Sequence, residues 1–140
     1  MIRESGYRFT FAGDRVDVCA RKGCWGSIQG SIKRDDAMSL SQELEFYKQR
    51  KTYNAHSEYC ITVKCSAKEI EKARQLREAA GFKILSRDIQ GLYTPFACVV
   101  SCDPARIQWD VGEYRYTVDV SMGTLDDVLE IANSTIDNQQ

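Results

Sequence analysis

The sequence predicts an α+β domain: a largely antiparallel sheet, with an N-terminal three-stranded meander and a C-terminal hairpin, and about three helices packed on it. Three observations carry this. Apolar residues alternate with polar ones at both ends of the chain, the period of half-buried strands. Capping signals open three helical patterns between and after them. Only two prolines occur in 140 residues, so nothing divides the chain into domains.

Tyr7, Phe9 and Phe11 alternate with Arg8 and Thr10, and Gly13-Asp14 suits a two-residue hairpin loop. That register sets Phe11 opposite Val16, Phe9 opposite Val18 and Tyr7 opposite Ala20. Arg21-Lys22-Gly23 then reads as a three-residue loop into a third strand. Its inward set is Cys24, Gly26, Ile28, Gly30 and Ile32, and its outward set is Trp25, Ser27, Gln29 and Ser31.

Ser39 and Gln42 resemble a capping box, and Leu40, Leu44 and Tyr47 make a stripe at helical spacing through Lys51. The basic cluster Lys48 to Lys51 reads as the charged end of that helix, where cations complement the dipole. Tyr59, Ile61, Val63 and Cys65 alternate as a strand. Ser66 and Glu69 form a second capping box, and the mostly charged helix that follows, ending at Gly81, belongs on the surface. Phe82 to Ile89 is predicted as a strand, Gly91 to Thr94 as a turn, and the doubly apolar Phe96 to Val100 as a central strand.

The clearest element is a hairpin. Ile107, Trp109 and Val111 alternate, as do Tyr114, Tyr116, Val118 and Val120, with Gly112-Glu113 as a type II′ turn. The register that pairs Trp109 with Tyr116 also pairs Asp110 with Arg115 and Arg106 with Asp119, opposite charges on the other face. A one-residue slip loses both sets, so the register is specified twice. Thr124 then caps a helix with the stripe Leu125, Val128, Leu129, Ala132 and Ile136, and the polar residues 133–140 are expected to fray. Helices are expected on one face of the sheet.

Composition narrows the function. The apolar share, 43%, suits a folded domain rather than a disordered one. Acidic and basic residues nearly cancel, 20 against 19, which argues against nucleic acid as a partner. No apolar run spans a membrane and no leader is evident, so the expected compartment is the cytoplasm. The six cysteines are then expected to be free thiols. Their spacings, C-x4-C twice and C-x3-C once, place no close set of metal ligands, and no glycine-rich phosphate loop occurs. The expectation is no metal and no cofactor.

Three functions follow, in order of preference. The first is a small cytoplasmic protein-binding module, such as an inhibitor, an immunity-type protein or a phage-type accessory protein. Its binding face would hold Trp25, Arg8 and Gln29, since outward aromatic and arginine side chains are the types that dominate interfaces. The second is a cysteine hydrolase or transferase in which His56, the single histidine, activates Cys98. The third is a small-ligand binder using space above Gly26 and Gly30. An edge strand of the sheet offers a route to a homodimer.

Overall fold

The structure, a computed structural model, describes residues 6–12, 25–55, 66–98 and 102–138, with side chains from residue 26 onward except 52–55. Six strands form one sheet in the order β1-β2-β8-β7-β4-β3, and every neighbouring pair is antiparallel. They are β1 (Gly6–Ala12), β2 (Trp25–Ile32), β3 (Gly81–Ile84), β4 (Gln90–Thr94), β7 (Ala105–Val111) and β8 (Tyr114–Val120). Two short strands, β5 (Ala97–Cys98) and β6 (Cys102–Asp103), pair separately. The described helices are α1 (Leu40–Ala55), α2 (Ala67–Ala79) and α3 (Leu125–Asp137). The chain is thus the single α+β, antiparallel domain that its patterning predicts.

The β7–β8 hairpin has the expected register, with Trp109 opposite Tyr116, Asp110 opposite Arg115 and Arg106 opposite Asp119. Gly112 takes the positive φ of 58° that its turn requires. The alternation then sorts the sheet into two faces. Ile107, Trp109, Val118 and Val120 are fully buried on one face against Val128, Ala132 and Ile136 of α3. The other face carries Arg106, Gln108, Asp110, Arg115 and Thr117, and α1 lies across part of it. All three caps form as expected. Ser39 and Gln42 exchange hydrogen bonds, Ser66 Oγ accepts from the Glu69 amide, and Thr124 and Asp127 exchange theirs.

Several local expectations change. The first and third strands of the predicted meander are there, but they pair directly, Phe9 with Ile28 and Phe11 with Gly26, while β8 takes the other side of β2. The expected middle strand, Val16 to Ala20, lies outside the described residues. A period of two says which face a residue takes, not which strand of equal parity lies next to it.

The reversal expected at Gly91 to Thr94 sits earlier, in a short 3-10 turn at Ser86–Asp88, where Arg87 and Asp88 adopt positive φ of 60° and 59°. Gly91 is instead inside β4, because a Cβ there would stand 2.7 Å from Leu85 Cδ1 and 3.1 Å from Ile107 Cγ1. Its missing side chain is a packing requirement rather than a turn signal. Of the predicted central strand at Phe96 to Val100, Ala97–Cys98 forms β5, which pairs outside the main sheet, and residues 99 and 100 lie outside the described residues. Helix α3 runs through Asp137 with Ile136 buried, so residues 133–137 are helical rather than frayed.

Helices also cover both faces of the sheet rather than one. Helix α3 packs on the apolar face. Helix α1 meets the polar one, where Arg115 donates to the Met38 carbonyl at the helix entry and Tyr47 and Leu92 line one cleft. Helix α2 packs against α1 and β4 and buries no residue of its own, the surface helix expected. The strand expected over Tyr59 to Cys65 lies outside the described residues.

Candidate functional site

A cleft of about 150 Å³ opens between α1 and the polar face of the sheet. One wall is about two turns of α1, and it presents Glu43, Phe46, Tyr47 and Arg50. These positions are three and four apart, so helical geometry sets them on one side. The other wall comes from the sheet and the β5–β6 hairpin, with Leu92, Pro95, Asp103, Pro104, Arg106 and Gln108.

The charges around the cleft are mostly committed. Arg106 binds Asp119 through Nε and Nη2, at 2.6 and 3.1 Å, and this hydrogen bonding raises its guanidinium above its ordinary value. Arg115 binds Asp110 in the same two-pronged way. Lys51, buried against the hairpin, reaches Asp103 at 3.7 Å. The cluster Lys48 to Lys51 is therefore not the charged end of α1, which runs on to Ala55 with no basic residue in its last turn, and of its cations Lys51 is buried while Lys48 and Arg50 are exposed. Gln108 donates from Nε2 to Thr117 Oγ1 at 3.3 Å, leaving its carbonyl oxygen free to accept.

Three side chains differ from this pattern. Phe46 is 49% exposed at the rim, and the Arg50 guanidinium lies 5.3 Å from its ring centroid. The same guanidinium is 5.9 Å from the Tyr47 ring, while Lys51 approaches that ring at 5.3 Å. Tyr47 is only 7% exposed, and its hydroxyl is buried with no hydrogen-bond partner among the described residues. Burial, and next the nearby Asp103 carboxylate, push its phenol up to about 12.

The residues singled out from sequence fare unequally. Gln29 is exposed on β2, with Arg8 directly across the β1–β2 ladder, and Trp25 pairs with Ala12 at the far end of the strand. The side chains of Trp25 and Arg8 lie outside the described part, as does all of His56. Gly26 and Gly30 are buried within the sheet, between Phe11 and Val120 and between Tyr7 and Tyr116.

Cys98 is not a free thiol. Its sulfur is bonded to that of Cys102, with the two Cα atoms 4.0 Å apart. An extended strand would hold residues four apart too distant for this, but the chain doubles back, so Cys98 and Cys102 face each other across β5 and β6. A disulfide sulfur has no thiolate to act as the nucleophile, and the expectation of free cysteines fails at this pair. The Cys98 carbonyl also accepts from Lys72 Nζ of α2 at 3.5 Å.

The sequence reading missed the aromatic and arginine cluster of α1. Tyr47 was assigned to the core stripe and Arg50 to a charged helix end. The signal was present in Phe46-Tyr47-x-x-Arg50, since residues three and four apart meet on a helix surface. Among the described residues no helix is long and apolar enough to cross a membrane. Compared with known proteins, the chain matches no family model, no curated protein and no solved structure.

Proposed function

We propose that this protein is a small binding module that acts by direct contact with another protein, as an inhibitor, immunity-type or accessory protein does. The contact surface we assign to it is the outer side of α1 and the cleft beneath it. The observation that carries the reading is Phe46, a large apolar side chain half exposed at the mouth of a cleft, with an arginine lying against its ring. Met38, also exposed, extends the same ridge toward the helix entry. Aromatic and arginine side chains beside a pocket are the usual centre of binding energy at interfaces, and a few of them supply most of it.

The loss of Cys98 as a nucleophile removes the main support of the hydrolase reading. Cytoplasmic location stays part of the proposal on composition, and the Cys98–Cys102 bond weighs against it, because cytosolic thiols are ordinarily kept reduced.

A displayed random-peptide library panned on the immobilised protein tests the reading. Enriched peptides are expected to lose about thirtyfold in affinity on Phe46→Ala, the scale of truncating one central aromatic. Trp25→Ala, on β2 and away from the cleft, is the second arm. If every enriched peptide binds Phe46→Ala as tightly as the unaltered protein, the assigned surface is wrong.

A further inference from the structure

Charge is balanced around the cleft except at one residue. Asp110 pairs with Arg115 and Lys33, Glu43 with Arg115, Asp103 with Lys51 and Asp119 with Arg106. Every carboxylate there has a cation within 4.0 Å. Arg50 has no carboxylate partner among the described residues, and its guanidinium rests against the rings of Phe46 and Tyr47. Packing of this kind restrains a long side chain before any ligand arrives and leaves the N–H edge of the planar fork free. The Tyr47 hydroxyl is closed to solvent, so Arg50 is the donor that faces the opening.

We propose that the cleft is a carboxylate-binding site, in which Arg50 holds the anion through its guanidinium fork. The assignment rests on the contact-module reading and names what that surface selects. The volume, about 150 Å³, matches about five water molecules at ~30 Å³ each, room for a carboxylate on a short stem and not for a nucleotide-sized cofactor. Leu92, Pro95 and Pro104 give the stem an apolar wall. Glu43 and Asp103 also line the cleft, each paired with a cation, so the one guanidinium left over balances a monoanion but not a dianion such as phosphate. The occupant is the carboxylate of an acidic residue in a partner peptide, and a free short-chain acid shares its chemistry.

Titrating isotope-labelled protein by NMR with glutarate, with its diamide, and with blocked tripeptides centred on Glu or Gln tests this. Glutarate and the Glu peptide are expected to shift the amides of Tyr47 to Lys51 saturably, and the diamide and the Gln peptide are not. Arg50→Gln is expected to weaken binding about tenfold or more, and Arg50→Lys less, because it keeps the charge but not the fork. Arg50 is exposed, so neither change threatens the fold.

Equal shifts from the acid and its diamide, or an unaltered titration in Arg50→Gln, overturn the proposal. Binding of glutarate without the Glu peptide upholds the site and makes the free acid its ligand. Display peptides that need Phe46 but show no acidic preference overturn the carboxylate site alone. Carboxylate binding without any peptide that needs Phe46 overturns the contact-module reading alone.

Discussion

Replacing Arg115 with methionine removes the tie between the sheet and the start of α1. Arg115 Nε donates to Asp110 Oδ1 at 2.8 Å, and Nη2 donates to Asp110 Oδ2 at 3.1 Å and to the Met38 carbonyl at 2.8 Å. The arginine side chain is 13% exposed and that of Asp110 26%, so water screens the group only in part. Hydrogen bonds to charged partners contribute ~1.5–3 kcal/mol. Stripping one partner from a fully buried ion pair costs ~3–5 kcal/mol. That upper range is not reached here, because Asp110 keeps Lys33 at 3.7 Å and Met38 is open to water.

The expected cost of Arg115→Met is therefore about 2–3 kcal/mol. For a domain of this size it lowers Tm by about 5–10 °C. Urea unfolding followed by tryptophan fluorescence reads it, since Trp109 stacks on Tyr116 in the core with ring centroids 5.5 Å apart. A double-mutant cycle with Asp110→Ala isolates the pair, and a coupling of about 1 kcal/mol or more is expected. A loss below about 0.5 kcal/mol with an additive cycle is what an exposed ion pair would give, and it refutes the reasoning. Arg74→Ala is the control: Arg74 pairs with Glu71 and Glu78 on the exposed side of α2, and its loss is expected to leave the midpoint unmoved.

Two further expectations concern the cleft and the sheet beneath it. Tyr47 is an acid whose pKa is raised to about 12 by burial first, so its contribution is full below the ordinary tyrosine value and is lost as pH rises from about 10 to about 12. The amount is about 2–3 kcal/mol, and Tyr93, raised by burial, adds in the same direction. Tyr47→Phe is expected to flatten the fall in urea stability across that range, and an unchanged slope would remove the buried phenol as its cause. Gly91→Ala puts a methyl against Leu85 and Ile107, both buried, and is expected to cost ~1–3 kcal/mol by overpacking. Thermal unfolding at the unaltered Tm would show that β4 yields without strain.

The candidate site was legible only in fragments. The Ser39 and Gln42 box located the start of α1, and helical spacing marked Leu40 and Tyr47 as inward-facing, which their burial bears out. Nothing local could say that the surface Tyr47 meets is the polar side of the β7–β8 hairpin. That face reads as solvent-exposed because its residues are charged, yet Arg106 and Asp119, or Asp110 and Arg115, neutralise each other across the strands. Neutralised pairs leave a surface that a helix can cover. Cys98 misled for a related reason. Its apolar flanks suggest a continuous strand, and only the return of the chain at Cys102 makes a disulfide possible.

By itself the sequence determined the fold class, the caps of all three described helices, the register and turn of the β7–β8 hairpin, and which residues of that hairpin face the core. These rest on contacts between residues close in the chain, where periodicity and side-chain chemistry have few competing solutions. Only the tertiary structure decided that β1 lies directly beside β2, that β8 is the other neighbour of β2, that α1 covers the polar face, and that Arg50 is left without a carboxylate over a small cleft. Those are choices among distant partners of equal parity and similar polarity, and they are settled by which packing buries the apolar face while leaving each buried charge a partner.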